Sequence, residues 1–481
     1  MQNKNVSDPA IMTESSHIPP AAFEGLPPAP GAFIVGGCLR DLLLQRTPKD
    51  YDIVCLAHVR RFAERVAAGT GGHLVALGKP GKRVYRIITA DRTFDVVAAV
   101  GTSVEADLRR RDFTVNAMAC ELRSGRIIDI AGSRRDLQAR CIRMVSESAF
   151  EKDPLRLLRA YRIAAMLDFD IEHRTAAAIG RHASKMAAAA AERIRDELCK
   201  LFSTPRASRH LSQMAQSGLV FEIIPALRDL VGCRQNRHHR YDVWRHTLAA
   251  CRELEHMLSA PSGLAPGLRR AVALVQRTPD AWLLKFSLLL HDIAKPAVRS
   301  GSADRNVHFF GHAGKGAALA GKIAAGLRFS AAECSRIAFL VDNHMRPLQL
   351  FLLQVRRELT DRALARFYLH CGRSTPALLL LSLADHFGKD SRRYRTAGDF
   401  QDFAADLAQR YFTEIAPRMR QAPLITGRDL IHGLGLSPSP LFRIILDGVN
   451  QARLIGSVTD HRAAMDLARK IAFSAEKPEG V

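Results

Sequence analysis

The stretch FIVGGCLRDLLLQRTPKDYDIVC, Phe33 to Cys55, decides how this chain is read. Its first three residues are apolar and partly β-branched, Gly36 and Gly37 interrupt them, and CLRDLLLQ follows with helical spacing. A strand that ends in two glycines and enters a helix lets backbone N–H groups approach a triphosphate where a side chain would block access. The helix N-terminus favours the negative charge. Arg40 is placed to add a positive charge. Asp50 and Asp52 then flank Tyr51 at the start of a second extended run, where a period of two points both carboxylates to one face of a sheet. Paired carboxylates repel unless a cation sits between them, and Mg2+, which takes oxygen ligands and shares them with phosphates, meets that need. Asp95, in the strand-like FDVVAAV, is the candidate third acid of a two-metal clamp. Each feature alone also fits an ordinary turn or cap.

Working outward, AFIV, YDIVCL, RVYRIIT, FDVVAAV and RIIDI are short β-branched runs between residue 31 and about residue 130, separated by turn residues and helical stretches. From about Asp136 the pattern becomes helical, as in PLRLLRAYRIAAML, the alanine run Ala187 to Ala191 and ERIRDELCKLF. Breaks rich in Gly, Pro, Ser or His fall near Pro205, from Gly232 to His239, from Ala260 to Gly267 and from Pro417 to Pro423. The fold class expected is therefore an α+β N-terminal head followed by a mainly α-helical remainder, in several domains, as 481 residues require.

With 70 Lys and Arg against 48 Asp and Glu, the chain carries a formal charge of +22, which suits a polyanionic partner. Its nine cysteines, Cys38 to Cys371, show neither zinc-ribbon nor disulfide-scaffold spacing and read as reduced thiols. The proline-containing first 30 residues lack the apolar core of a secretion signal and read as a flexible lead-in. LLKFSLLL and ALLLLSLA are too short to span a bilayer, so the expectation is a cytoplasmic protein with no membrane partner.

GGCLRD, PKDYDI, LRRRDFTVNAMA (Leu108 to Ala119) and KDPLRLLRAYRIA (Lys152 to Ala164), in that order, resemble the motifs of bacterial tRNA nucleotidyltransferases and poly(A) polymerases. These are class II members of the polymerase β superfamily and include the CCA-adding enzymes. The resemblance covers most of the chain from Gly31 onward. It implies that Gly36 and Gly37 cradle the triphosphate of CTP or ATP, that Asp50 and Asp52 bind Mg2+, and that Asp95 is the third carboxylate. Arg110, Arg111, Asp112 and Asn116 would position the sugar and phosphates of the incoming nucleotide. Asp153 and Arg156, three apart on a predicted helix, match the family's protein template that selects C and then A. On residues alone an exposed ion pair is the favoured reading. Arg159 and Arg162 extend the basic face, and ERIRDEL (Glu192 to Leu198) is similar to the neck motif that closes the nucleotide pocket. The implied partner is the 3′ end of tRNA, or other RNA 3′ ends.

One departure bears on specificity. Family members that complete CCA usually carry a flexible loop of some twenty residues between the third-carboxylate strand and the acidic lead into the RRDF motif. Here only VVAAVGTSVEA separates Asp95 from Asp107. The resemblance associates such shortening with enzymes that add two cytidines and stop.

Downstream, His246, His291, Asp292, His312, His344 and Asp385 follow the order H, HD, H, H, D and resemble the HD phosphohydrolase superfamily. Imidazole and carboxylate ligands spread over successive helices suit a divalent metal. An intact set implies metal-dependent cleavage of phosphomonoesters or 2′,3′-cyclic phosphates, with His238, His239 and His386 as helpers or bystanders. The expected partition is a lead-in over 1–30, a nucleotidyltransferase head over 31–135, a helical neck and body over 136–235, an HD domain over 236–395, a C-terminal helical region over 396–475 and a tail over 476–481. Other readings stand beside full CCA-end synthesis: addition of CC alone, addition of A alone, a poly(A) polymerase, and a phosphohydrolase whose head only binds RNA.

Overall fold

The computed structural model describes residues 17–19, 23, 25–79, 81, 83–235, 240–278, 281–301, 307–389 and 396–476. Most of the lead-in, His238 and His239, and the tail beyond 476 lie outside these described residues. The chain forms two compact units: one runs to Thr204 and includes Gln213–Ile223, and the other comprises Pro205–Ser212 and Ile224–Val481.

The first unit is built on a seven-stranded mixed sheet. Its strands are β1 (Ala32–Val35), β2 (Asp50–Cys55), β3 (His73–Leu77), β4 (Val84–Ile88), β5 (Thr93–Ala98), β6 (Met118–Glu121) and β7 (Ile127–Asp129). They lie in the order β3-β4-β5-β2-β1-β6-β7, with β2 and β5 parallel and every other neighbouring pair antiparallel. Apolar content explains why β1 and β2 are central: Ile34, Val35, Ile53 and Val54 are fully or almost fully buried. In β2, Asp50 and Asp52 are exposed while Tyr51, between them, turns inward and stacks on Phe94 at 5.1 Å. The expected alternation is thus present. Two strands of this sheet, β3 and β6, were not expected. HLVAL forms a largely exposed edge strand, and MACE is a short strand with three consecutive buried side chains and so no alternation.

Beyond the sheet, Leu155–Leu167 buries Leu157, Leu158, Tyr161 and Ile163, starts just after Pro154 and ends at Asp168 in a left-handed conformation. The amphipathic helix Ala191–Phe202 packs against it.

The second unit is helical. Ala281–Leu290 is buried along all of Trp282 to Leu290, and Thr375–Phe387 from Thr375 to Asp385, which accounts for the two most apolar stretches of the sequence. The charge inside the first, Lys285, is 3.3 Å from buried Glu255. Gly427–Leu434, Pro440–Ile455 and His461–Glu476 form a smaller core around Leu430, Ile445 and Val449. Thr426 and Asp429 make the capping box of the first of these helices. No helix among the described residues is long and apolar enough to cross a membrane.

Candidate active site and a second ligand cluster

The turn after β1 sets the first site. Gly36 has φ 75 and ψ −144, a conformation open essentially to glycine, and it caps the helix Gly37–Leu43. A Cβ on Gly36 would lie 3.1 Å from Asp52 Oδ2 and 3.0 Å from Arg111 Nη1, so turn, carboxylate and guanidinium meet at one point. They open into a cavity of about 350 Å3 that is also lined by Gly37, Val100, Asp107, Arg110, Asp112, Asn116, Asp153, Arg156 and Arg159. Residues up to 123 positions apart in sequence are thus gathered by β1, β2, the RRRDFTVN turn and the start of Leu155–Leu167.

Electrostatics within the cavity are uneven. Removal of the Asp52 carboxyl from water raises its pKa from the ordinary value, against the pull of Arg111, with Asp95 and Asp50 adding repulsion. A carboxylate held there, beside two others, fits a cation ligand. Asp50 shares its face of β2, so Asp50 and Asp52 are the residues that could hold a divalent metal. Asp95 pairs with Asp52 in the strand register, but its two oxygens accept from Arg86 Nε at 2.8 Å and Nη2 at 2.7 Å. Its carboxylate is engaged by β4 rather than opening into the cavity.

Asp112 is buried. Burial alone would raise its pKa, yet the charge of Arg159 and donations from Asn116 Nδ2 and Phe113 N bring it below the ordinary value. Arg159 Nη2 lies 2.8 Å from Asp112 Oδ2. Arg111 is held by Asp107 at 2.9 Å, and Asp107 Oδ1 also accepts from Val100 N. Asp107 and Val100 line the cavity without having been singled out from sequence. The signal for Asp107 was its position four residues before Arg111.

Three expected residues sit differently from their sequence reading. Arg40 is buried behind Gly37, bound to Asp41 and donating from Nη1 to Asn116 Oδ1 at 2.8 Å, so it orients Asn116 instead of facing the cavity. Arg162 likewise turns away, with Nε donating to buried Glu197 at 2.7 Å. Asp153 does not share a helix with Arg156: it has φ −149 just ahead of Pro154, at the break between Ser148–Lys152 and Leu155–Leu167. Both still line the cavity, but they do not pair. Asp153 accepts from Arg193 at 2.9 and 3.2 Å, and Arg156 Nη1 donates to the Arg110 carbonyl. Arg193 comes from ERIRDEL, so that motif works here through a long-range contact that spacing could not reveal.

In the second unit, the six expected ligands converge. His246, His291, Asp292 and Asp385 form one group, and Asp292, His312 and His344 another, with the ligand atoms of each group within 4.8 Å of one another. His291, His312 and His344 each meet, through Nδ1, the carbonyl three residues earlier at 2.7–2.8 Å. That contact fixes the ring and turns Nε2 inward, as metal-binding imidazoles require. Asp292 Oδ1 lies 3.6 Å from His312 Nε2 and 4.0 Å from His344 Nε2, too far for a hydrogen bond and wide enough for an ion. His291 is raised to about 10: burial opposes this, but Asp292 and Asp385 beside it prevail. A proton thus balances charges that a divalent cation would balance in its place. Lys295, 2.6 Å from Asp292 Oδ2, and Lys389, 3.5 Å from Asp385 Oδ2, belong to the same charge network and were not expected. His386 packs its ring 4.9 Å from Phe400.

Comparison with known proteins places this geometry. Residues 32–143 match the family described as "Poly A polymerase head domain", and residues 168–230 match "Probable RNA and SrmB- binding site of polymerase A". An A-adding tRNA nucleotidyltransferase of Deinococcus radiodurans is 34% identical over 90% of this chain and 94% of its own length. The chain belongs to the tRNA nucleotidyltransferase family. A CC-adding tRNA nucleotidyltransferase of Thermus thermophilus is 33% identical, covering 89% of this enzyme and 90% of the relative. The fold is shared with the Thermotoga maritima CCA-adding enzyme, at 20% identity and a TM-score of 0.60 over 92% of this chain and 91% of that one. The nucleotidyltransferase is thus a tRNA 3′-end-extending enzyme by family, with its cavity formed by the head and the start of the helical region.

Proposed function

We propose that this enzyme transfers CMP, and in the fuller reading also AMP, from CTP or ATP to the terminal hydroxyl of tRNA. The single observation that carries this is the convergence of Gly36, Asp52, Arg111, Asp112, Asn116 and Arg159 on one cavity. The Gly36 turn leaves room for phosphates, and Arg110 and Arg111 meet their charge. Asp112, held by Arg159, orients Asn116 toward the sugar. Asp153, from the extended break before Pro154, and Arg156, from the first turn of the Leu155–Leu167 helix, both line the cavity, where they offer an acceptor and a donor fork to a base edge. In the reaction the 3′-hydroxyl oxygen bonds the α-phosphorus, the bond to the bridging oxygen breaks, pyrophosphate leaves and the hydroxyl proton is released. Asp50 and Asp52 are the residues that would hold a divalent magnesium ion, which when bound would supply charge stabilisation for the transfer. Such work on tRNA belongs in the cytoplasm.

A narrower reading has its own support. Only residues 99–103 separate β5 from the helix Val104–Leu108, leaving no room for a flexible loop of some twenty residues. This favours an enzyme that adds two cytidines and leaves the adenosine to a partner. The His/Asp cluster supports a second activity: metal-dependent phosphohydrolysis in an HD domain, with His246, His291, Asp292, His312, His344 and Asp385 as ligands.

Three tRNA transcripts, ending before CCA, after C and after CC, incubated with magnesium and with CTP and ATP separately and together, test these readings at single-nucleotide resolution. Arrest after two cytidines is expected. Completion to CCA removes the short-connector argument, a long adenosine ladder on unstructured RNA identifies a poly(A) polymerase, and no extension of any transcript refutes the transferase reading of the cavity.

A further inference from the structure

The second unit contains a cavity of about 810 Å3, larger than the one in the head and separate from the His/Asp cluster. Its floor is apolar, with Val275, Pro376, Ala377 and Met419 among the lining residues. Three arginines line it, half-buried Arg336 and exposed Arg373 and Arg420, and among the described residues neither Arg373 nor Arg420 makes an ion pair. Arginine forks left without carboxylates at the edge of an apolar hollow match a phosphate, which they bind in bidentate fashion. The first turn of the helix Thr375–Phe387 also lines the cavity, adding the positive end of a thirteen-residue helix.

Tyr411 is an independent indication. It is only 5% exposed and lines this cavity, yet among the described residues no donor or acceptor meets its hydroxyl. The hydroxyl opens into the cavity beside Arg373 and Arg420, where it can meet the polar edge of a ligand. Tyr411 lies in Tyr411–Ile415, a π-helical turn within a longer helical run, and such turns recur at functional sites because they carry a backbone cost. The turn places Phe412 beside Tyr411, its ring 5.2 Å away and nearly perpendicular.

We propose that this cavity binds one unpaired nucleotide of the RNA, with the base inside against Phe412 and Met419, its polar edge on the Tyr411 hydroxyl, and its phosphate on Arg373 and Arg420. Aromatic and sulfur surfaces accept a base face without regard to sequence, and a basic chain supplies the long-range attraction. The inference rests on RNA being the substrate and adds a second place of contact outside the catalytic cavity.

The test measures binding of a tRNA transcript by fluorescence anisotropy, with extension by CTP followed in the same preparations. Ala416→Trp fills the cavity from its rim without changing charge, and Tyr411→Phe removes only the unpartnered hydroxyl. Expected are roughly tenfold weaker tRNA binding for the first and several-fold for the second, with melting temperatures within about 2 °C of wild type and kcat at saturating tRNA unchanged. AMP at millimolar concentration serves as the free-nucleotide probe. If the site takes nucleotides from any source, AMP competes with tRNA in the wild type and loses that effect in Ala416→Trp; if only RNA reaches it, AMP has no effect while the variant defect persists. Wild-type tRNA affinity in both folded variants overturns the proposal and leaves the transferase reading standing. Loss of extension in the wild type with tRNA binding intact would overturn the transferase reading instead.

Discussion

Gly36 and Gly37 look equivalent in the sequence, yet the structure predicts opposite outcomes when each becomes alanine. Gly36 holds φ 75 and ψ −144, where an L-residue costs about 1–3 kcal/mol. Its new methyl would stand 3.0 Å from Arg111 Nη1 and 3.1 Å from Asp52 Oδ2. The arginine end can yield, but Asp52 is anchored in β2 between buried Tyr51 and Ile53, so its carboxylate must shift by a few tenths of an ångström. A catalytic group displaced by 1 Å loses about 100-fold in rate, which puts the expected loss for Gly36→Ala at roughly 10- to 100-fold in kcat. A strain of about 2 kcal/mol lowers the melting temperature of a unit this size by about 4–8 °C. Gly37 begins the helix with an ordinary φ, and a methyl there meets Arg40 Nη2 at 3.3 Å. Gly37→Ala should therefore change stability by less than about 1 kcal/mol, since helix propensity offsets the contact. Differential scanning calorimetry of both variants, with CTP incorporation into tRNA, gives both readouts. Equal damage in the two variants, or wild-type behaviour of Gly36→Ala, would refute the assignment of the turn.

Arg159→Met leaves Asp112 buried without its cation and should cost about 3 kcal/mol, most of it recovered when Asp112→Asn is added; urea denaturation of the four-member cycle should give a coupling of about 2 kcal/mol, and additive losses would show that the pair is not a unit. Asp129 accepts from the backbone N–H groups of Ala131, Ser133 and Arg134, and those bonds outweigh burial and hold its pKa below the ordinary value. A depressed acid stabilises the fold above its unfolded pKa and loses that effect as pH falls through the folded one. Asp129→Ala should thus cost about 1–2 kcal/mol at pH 7, with the gap to wild type narrowing below about pH 4. Asp292→Asn should empty the second ligand cluster of metal, measured by atomic emission on purified protein, while CTP incorporation by the head stays at the wild-type rate. A wild-type metal content in that variant would show that the cluster is not the metal site.

Most element types around the first site were legible in the sequence because they rest on local signals, but strand β6 and the break before Pro154 that takes Asp153 off the helix of Arg156 were not. Gly-Gly after an apolar run made the turn, Asp-Tyr-Asp put two carboxylates on one face, and six His and Asp residues stood at positions that helices could bring together. Asp107 was legible only as an acid before the RRDF motif. The partners of each charge could not be read locally, because they come from strands and helices distant in sequence. Arg86 takes Asp95 because β4 and β5 are antiparallel neighbours, and Arg193 takes Asp153 because Ala191–Phe202 packs on Leu155–Leu167. Arg40, a phosphate ligand by spacing, is buried on Asn116 because the helix after the turn presents that face to the RRRDFTVN segment. Local pattern fixes periodicity and backbone conformation, while the burial of a charge and the choice of its counter-charge arise only when non-local surfaces meet.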